Sequence, residues 1–155
     1  MNADILAKEL SLEAYAAARV AAAICEELLQ QRESFVFETV FSDPVGEKVA
    51  FFKKAANAGY NTIVCFIGTA GPAVSEERVS MRVSQGGHDV PSAKLVERFP
   101  RSLANLKLAM QELPRVWVYD NNDLRRPYRL VAVTESGQVV KLHRPVPKWL
   151  SPILP

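Results

Sequence analysis

Four arginines crowd one stretch of this sequence: Arg78, Arg82, Arg98 and Arg101, on either side of Gly86-Gly87-His88-Asp89. Arg78 and Arg82 are spaced i,i+4 and Arg98 and Arg101 i,i+3, so each pair shares a helix face. Two antiparallel helices joined at the glycine turn would aim all four guanidinium groups at one point. Arginine forks so placed stabilise the charge that spreads over a phosphoryl group in transfer. The same residues also fit a solvated face: Glu76 and Glu77 adjoin Arg78, Glu97 precedes Arg98, and exposed pairs contribute little. His88 has no companion at ligand spacing, nor does His143. His88 either fixes the turn through a backbone hydrogen bond or serves as a base.

A second source of chemistry is Glu38-Thr39, at the carboxyl end of the apolar run Ser34–Val40. Open parallel sheets bind ligands beyond the carboxyl ends of their strands. An acid that ends an apolar strand is also costly without a partner, so Glu38 calls for one. Ser42 and Asp43 follow in the loop, where Asp43 serves equally well as a cap for a helix starting at Pro44. Asp4, in Asn2-Ala3-Asp4, reads by itself as the N-cap of a terminal helix.

The elements that must position these groups follow from periodicity. Residues 5–31 lack Gly and Pro and are rich in Ala, Leu and Glu. They predict helix, broken near Ser11, which can cap a new start. Residues 34–40, 61–68 and 115–120 are short β-branched and aromatic runs that predict strands. Helices are expected from Asp43-Pro44 to Gly59, over 73–85, and from Asp89-Pro91 to about Gln111, with Pro100 a kink or boundary. Residues 128–143 predict a β-hairpin turning at Ser136-Gly137. The tail 144–155 holds four prolines in twelve residues and is expected to lie extended over the surface. Helices alternating with strands argue for an α/β fold with a mostly parallel sheet. The chain opens on a helix, so the first βα unit of such a fold is missing from it.

Length and composition bound the rest. The 155 residues suit a single domain with its own core. A net charge of +2 is too small to steer nucleic acid or anionic membrane, and no basic stripe carries interleaved aromatics. Cys25 and Cys65 lack any zinc spacing, which predicts reduced thiols and no metal site. Residues 1–10 carry charge where a signal peptide needs an apolar core, and no apolar run reaches the roughly 20 residues of a membrane span. A cytoplasmic location is expected by default.

Taken together, NADILA, AAARVAAAICEELL, SFVFETVFS, RVSMRVSQGGHDVPSAKLVERFPRSLANL and VYDN resemble the zeta toxin family of P-loop kinases. The resemblance spans residues 2–122 and is most specific from Arg78 to Leu106. It implies a P-loop-kinase-like three-layer sandwich, ATP with Mg2+, and transfer to a hydroxyl of a nucleotide-sugar-type acceptor. The best-known members phosphorylate a UDP-activated amino sugar and so block cell-wall synthesis; an antitoxin partner is implied as well. Carried over by position, Asp4 matches the acid that deprotonates the acceptor hydroxyl. Glu38 and Thr39 match the pair contacting the sugar, with Ser42 beside them. Arg78, Arg82, Arg98 and Arg101 fall in the lid, residues 78–105, that closes on the phosphates. His88 and Asp89 match its turn, and Asn105 stands where the family also places an amide.

One departure is large. A zeta-type kinase opens with a strand, G-x-x-x-x-G-K-[S/T], a helix and a second strand before the NAD segment. The seven glycines here form no such loop, so the cradling amides, the Lys and the Mg2+-binding hydroxyl are lacking. Met1 stands where an internal start would fall. In the family fold the P-loop strand lies between SFVFET and NTIVCFIG, whose edges are then expected to pair directly, accept a foreign strand or stay poorly ordered. The expectation is a zeta-toxin-like kinase inactive in this form. The alternative is a binding remnant that completes its sheet by homodimerisation.

Overall fold

Helix α1 (Ala3–Glu9) stops where Ser11 turns the backbone left-handed, and α2 (Ala14–Gln30) starts three residues later. Ser11 does not cap α2. The Glu13 carboxylate does, accepting from the backbone N–H groups of Tyr15 and Ala16 at 3.0 and 3.3 Å. Ser11 ends α1 instead: the Leu12 N–H reaches back to the Ala7 carbonyl at 3.0 Å, and Glu33 does the same to Leu28 past Arg32. Both are Schellman closures with a non-glycine residue at the left-handed position. The computed structural model describes residues 1–84 and 89–155, and these form two units, Met1–Val40 and Phe41–Pro155.

In the first unit α1 packs on α2, whose buried stripe is Ala17, Cys25 and Leu29. The expected strand over 34–40 is not formed as a ladder. Its one bridge joins Glu38 to Asn2, in parallel sense, with the Glu38 N–H on the Met1 carbonyl at 2.9 Å. A strand is held by neighbours along its length, and here the neighbour is two residues long.

The second unit is built on a four-stranded sheet in the order β1-β2-β3-β4. Its strands are β1 (Val64–Gly68), β2 (Arg115–Asp120), β3 (Arg129–Glu135) and β4 (Gln138–Leu142). Only β1 and β2 run parallel, in register from Val64↔Val116 to Gly68↔Asp120. The β2–β3 and β3–β4 pairs are antiparallel, which corrects the expected mostly parallel sheet. Connection length is the reason. Parallel pairing needs a long crossover, supplied between β1 and β2 by α4 (Pro72–Ser84) and α5 (Ser92–Glu112). The later connections are too short for one, and β3 turns into β4 through Ser136 and Gly137, both at positive φ as a tight hairpin requires.

Helix α3 (Glu47–Asn57) closes at Gly59, whose φ of 92° completes another Schellman turn. It begins at Glu47 rather than Pro44, behind a left-handed Gly46. Helix α5 continues through Pro100 without a break. It buries Leu106, Ala109 and Met110, with Leu113 just beyond, against Val116, Val118 and Val131 of the sheet. The tail is not a surface layer. Trp149 is only 7% exposed and Leu150 is fully buried in the same core, ahead of a short 3₁₀ turn at Ser151–Ile153. Apolar area outweighs the prolines here, since burying each of these side chains contributes about 1.5–3 kcal/mol.

Candidate functional site

In the first unit a cleft of about 380 Å³ is lined by Met1, Asn2, Ile5, Leu6, Val36, Phe37 and Glu38. Asn2 organises it with both ends of its amide. Its Oδ1 accepts from the Asp4 N–H at 2.8 Å and so caps α1, while its Nδ2 donates to Glu38 Oε2 at 2.7 Å. Asn2 thus holds the carboxylate of Glu38 and the backbone of Asp4. Glu38 is exposed on a segment that forms no ladder, so burial does not compel its pairing; Asp4 sits exposed in the first turn of α1, where a carboxylate is favoured by the helix dipole. Thr39 is exposed beside Glu38. Asn2 was not foreseen as a site residue; its signal is an amide one step before a helix that carries an acid in its first turn.

In the second unit the strand-end rule points elsewhere. The carboxyl ends of the parallel pair, Gly68 and Asp120, lie side by side. Asp120 Oδ1 accepts from Trp149 Nε1 at 3.0 Å and from Asn122 Nδ2, and its Oδ2 from Arg129 Nη2 at 3.2 Å. Asn122 Oδ1 accepts from the Ala70 N–H at 2.5 Å, just before α4. The Thr69 and Ser75 hydroxyls pair at 3.0 Å across the same turn. Asp120, Asn122, Arg129 and Trp149 were missed from the sequence. The rule that selected Glu38 selects Asp120 as well, because both acids end apolar runs.

The arginines do not converge as expected. Arg78 Nη2 donates to the carbonyls of Asn121 and Asn122, at 3.0 and 3.1 Å, so it ties α4 to the end of β2. Its buried Nε has no partner among the described residues. Arg101 is ion-paired to Glu97 one turn earlier on α5, the surface pairing that competes with a role in catalysis. Arg82 is exposed in the last turn of α4, and Arg98 is half-buried on α5. Ser92 Oγ donates to the Glu76 carboxylate, joining the two helices. Asp89 accepts from the next residue's N–H at 2.8 Å, and His88 lies outside the described residues.

Asn105 has work inside the fold. Buried on α5, its Nδ2 reaches the Phe41 carbonyl at 3.3 Å, the Asp43 carbonyl at 2.9 Å and Asp43 Oδ2 at 3.1 Å. The other Asp43 oxygen accepts from the Glu47 N–H at 2.5 Å, so Asp43 does act at the start of α3. Ser42, 8% exposed, is enclosed with this loop. These three hold the chain in place rather than open a cleft to it.

Desolvation at the sheet raises the Cys65 thiol above its ordinary pKa. The Tyr119 hydroxyl is raised as well, by desolvation first and by Cys65 second. Both effects favour neutral groups and make neither a nucleophile at neutral pH. Among the described residues no group of three or more His, Cys, Asp or Glu could hold a metal ion, and no helix is long and apolar enough to cross a membrane.

No curated protein and no solved structure matches the chain. The family model for the zeta toxin matches residues 8–130, well over half of the sequence. The arginine helices, the acid Glu38 and the end of β2 at Asp120 all fall within that span, and the chain belongs to the zeta toxin family.

Proposed function

We propose that this chain carries the acceptor side of a small-molecule kinase whose acceptor is a hydroxyl of a nucleotide-sugar-type molecule. The observation that carries this reading is the cleft lined by Asn2 and Glu38, where Asn2 Nδ2 holds the Glu38 carboxylate at 2.7 Å beside the first turn of α1 that carries Asp4. In it Asp4 takes the proton from the acceptor hydroxyl, and Glu38 and Thr39 orient the sugar.

The family implies a nucleotide donor, and the residues present do not fit the phosphates of MgATP. The sequence has no G-x-x-x-x-G-K-[S/T]. The glycine-bearing turn that does enter a helix from a strand end, Gly68–Gly71, spends the Ala70 N–H on Asn122 and its hydroxyls on each other. The expected behaviour is binding without reaction, to be tested by calorimetry with a UDP-amino sugar and by an assay with MgATP. Binding should weaken about tenfold in Glu38→Gln, the effect of losing one hydrogen bond to a charged group. Absence of binding would sink the acceptor assignment, and phosphorylated product would sink the inactivity.

A second reading has its own observation. Val36 is 82% exposed and Val40 is 59% exposed, on either side of the single bridge at Glu38. An extended run with exposed β-branched side chains beside a single bridge is a place where another strand can add, so a strand-completing homodimer is the alternative; light scattering of the purified chain separates the two.

A further inference from the structure

The tail residue Trp149 lies outside the span matched by the family, residues 8–130, and yet it is built into the carboxyl ends of β1 and β2. Its indole occupies the space in front of Gly68, where an added Cβ would overlap ring carbons Cη2, Cζ2 and Cζ3. Phe66 lies beside it, with ring centroids 6.2 Å apart. The indole N–H donates to Asp120, and the tail is tied a second time where Arg129 Nη1 donates to the Pro145 carbonyl at 3.1 Å. Arg129 thus holds the tail with one nitrogen and Asp120 with the other.

From Asp120 the contacts lead outward. Asn122 links Asp120 to the Ala70 N–H, and Arg78 grips the carbonyls of residues 121 and 122. A continuous series of polar contacts therefore runs from the tail to the first turns of α4, the helix that carries Arg78 and Arg82. Each link is a directional hydrogen bond at a strand end, where a shift of one group displaces the next.

We infer that Trp149 is a positioning residue: through Asp120 and Asn122 it sets the placement of helix α4 and its arginine pair. The inference deepens the kinase reading, and rests on it for the use to which the arginines are put. The contacts themselves involve no substrate.

The test uses the full chain without ligand, by NMR of assigned backbone amides and of the Arg78 Nε–H. Trp149→Phe keeps a ring against Gly68 and Phe66 but removes the N–H. It should shift the Ala70 amide and the Arg78 Nε–H, whose neighbouring Nη2 holds the carbonyls of residues 121 and 122. Asp120→Asn should give the same two shifts and also move the Trp149 indole N–H. Changes confined to residues touching the ring, such as Gly68, Phe66 and Leu150, would overturn the inference, as would an Asp120→Asn spectrum in which Arg78 stays put. Should Trp149→Phe not fold, the Asp120→Asn spectrum decides alone. Failure of a UDP-amino sugar to bind counts against the kinase reading and leaves this result standing.

Discussion

Ser34–Val40 and Arg129–Glu135 are seven-residue runs of much the same kind, SFVFETV and RLVAVTE. In the second unit the latter is β3, flanked by β2 and β4, and it buries Val131, Ala132, Val133 and Thr134. In the first unit the former makes one bridge and leaves Val36 and Val40 exposed. The difference lies in the company each run keeps, because strand propensity mostly measures how a segment fits against neighbours. A pattern can predict a strand; only partners along its length make one.

Three measurements would break or sharpen that comparison. The largest contrast is in amide hydrogen exchange. Amides at 131–133 should open only with global unfolding, while those at 35–37 exchange through local fluctuation, at least about 1,000-fold faster. Equal protection would mean that the first run has found a strand in solution. Next, one substitution made at two places should have unequal effects. Val131→Ala removes fully buried methyl groups and should cost about 2 kcal/mol in denaturant unfolding, whereas Val36→Ala should stay within about 0.5 kcal/mol. The smallest effect concerns the helix ends. Gly59→Ala puts a Cβ at a φ of 92° and should lower stability by about 1 kcal/mol. Arg32→Gly relieves a non-glycine residue at 59° and should raise it by a few tenths to about 1 kcal/mol, read as a shift in Tm.

Local structure was the legible part of this sequence. The break at Ser11, the closure at Gly59, the parallel core strands β1 and β2 and the hairpin at Ser136-Gly137 all follow from residue type at short range. A strand ending near Glu38 was expected and did not form; the acid is exposed, and its bond is to Asn2 at the start of α1. What stayed hidden depends on contacts distant in sequence. Prolines around Trp149 suggested an extended surface segment, and nothing local reveals that a glycine 81 positions earlier leaves room for an indole. Arg78 and Arg101 looked alike as lid cations. One holds backbone carbonyls just beyond the end of β2 and the other a glutamate on its own helix, a distinction fixed by packing rather than by spacing.

Gly68 carries a consequence for how this sequence can vary. Its backbone needs no special dihedral angle, since its φ is not positive; what it supplies is vacancy. Any side chain there and an indole at 149 exclude one another, so the two positions amount to a single choice. A lineage that enlarges residue 68 must first surrender the tryptophan, and with it a donor to Asp120. One that shortens or loses the tail is released from glycine at the end of β1.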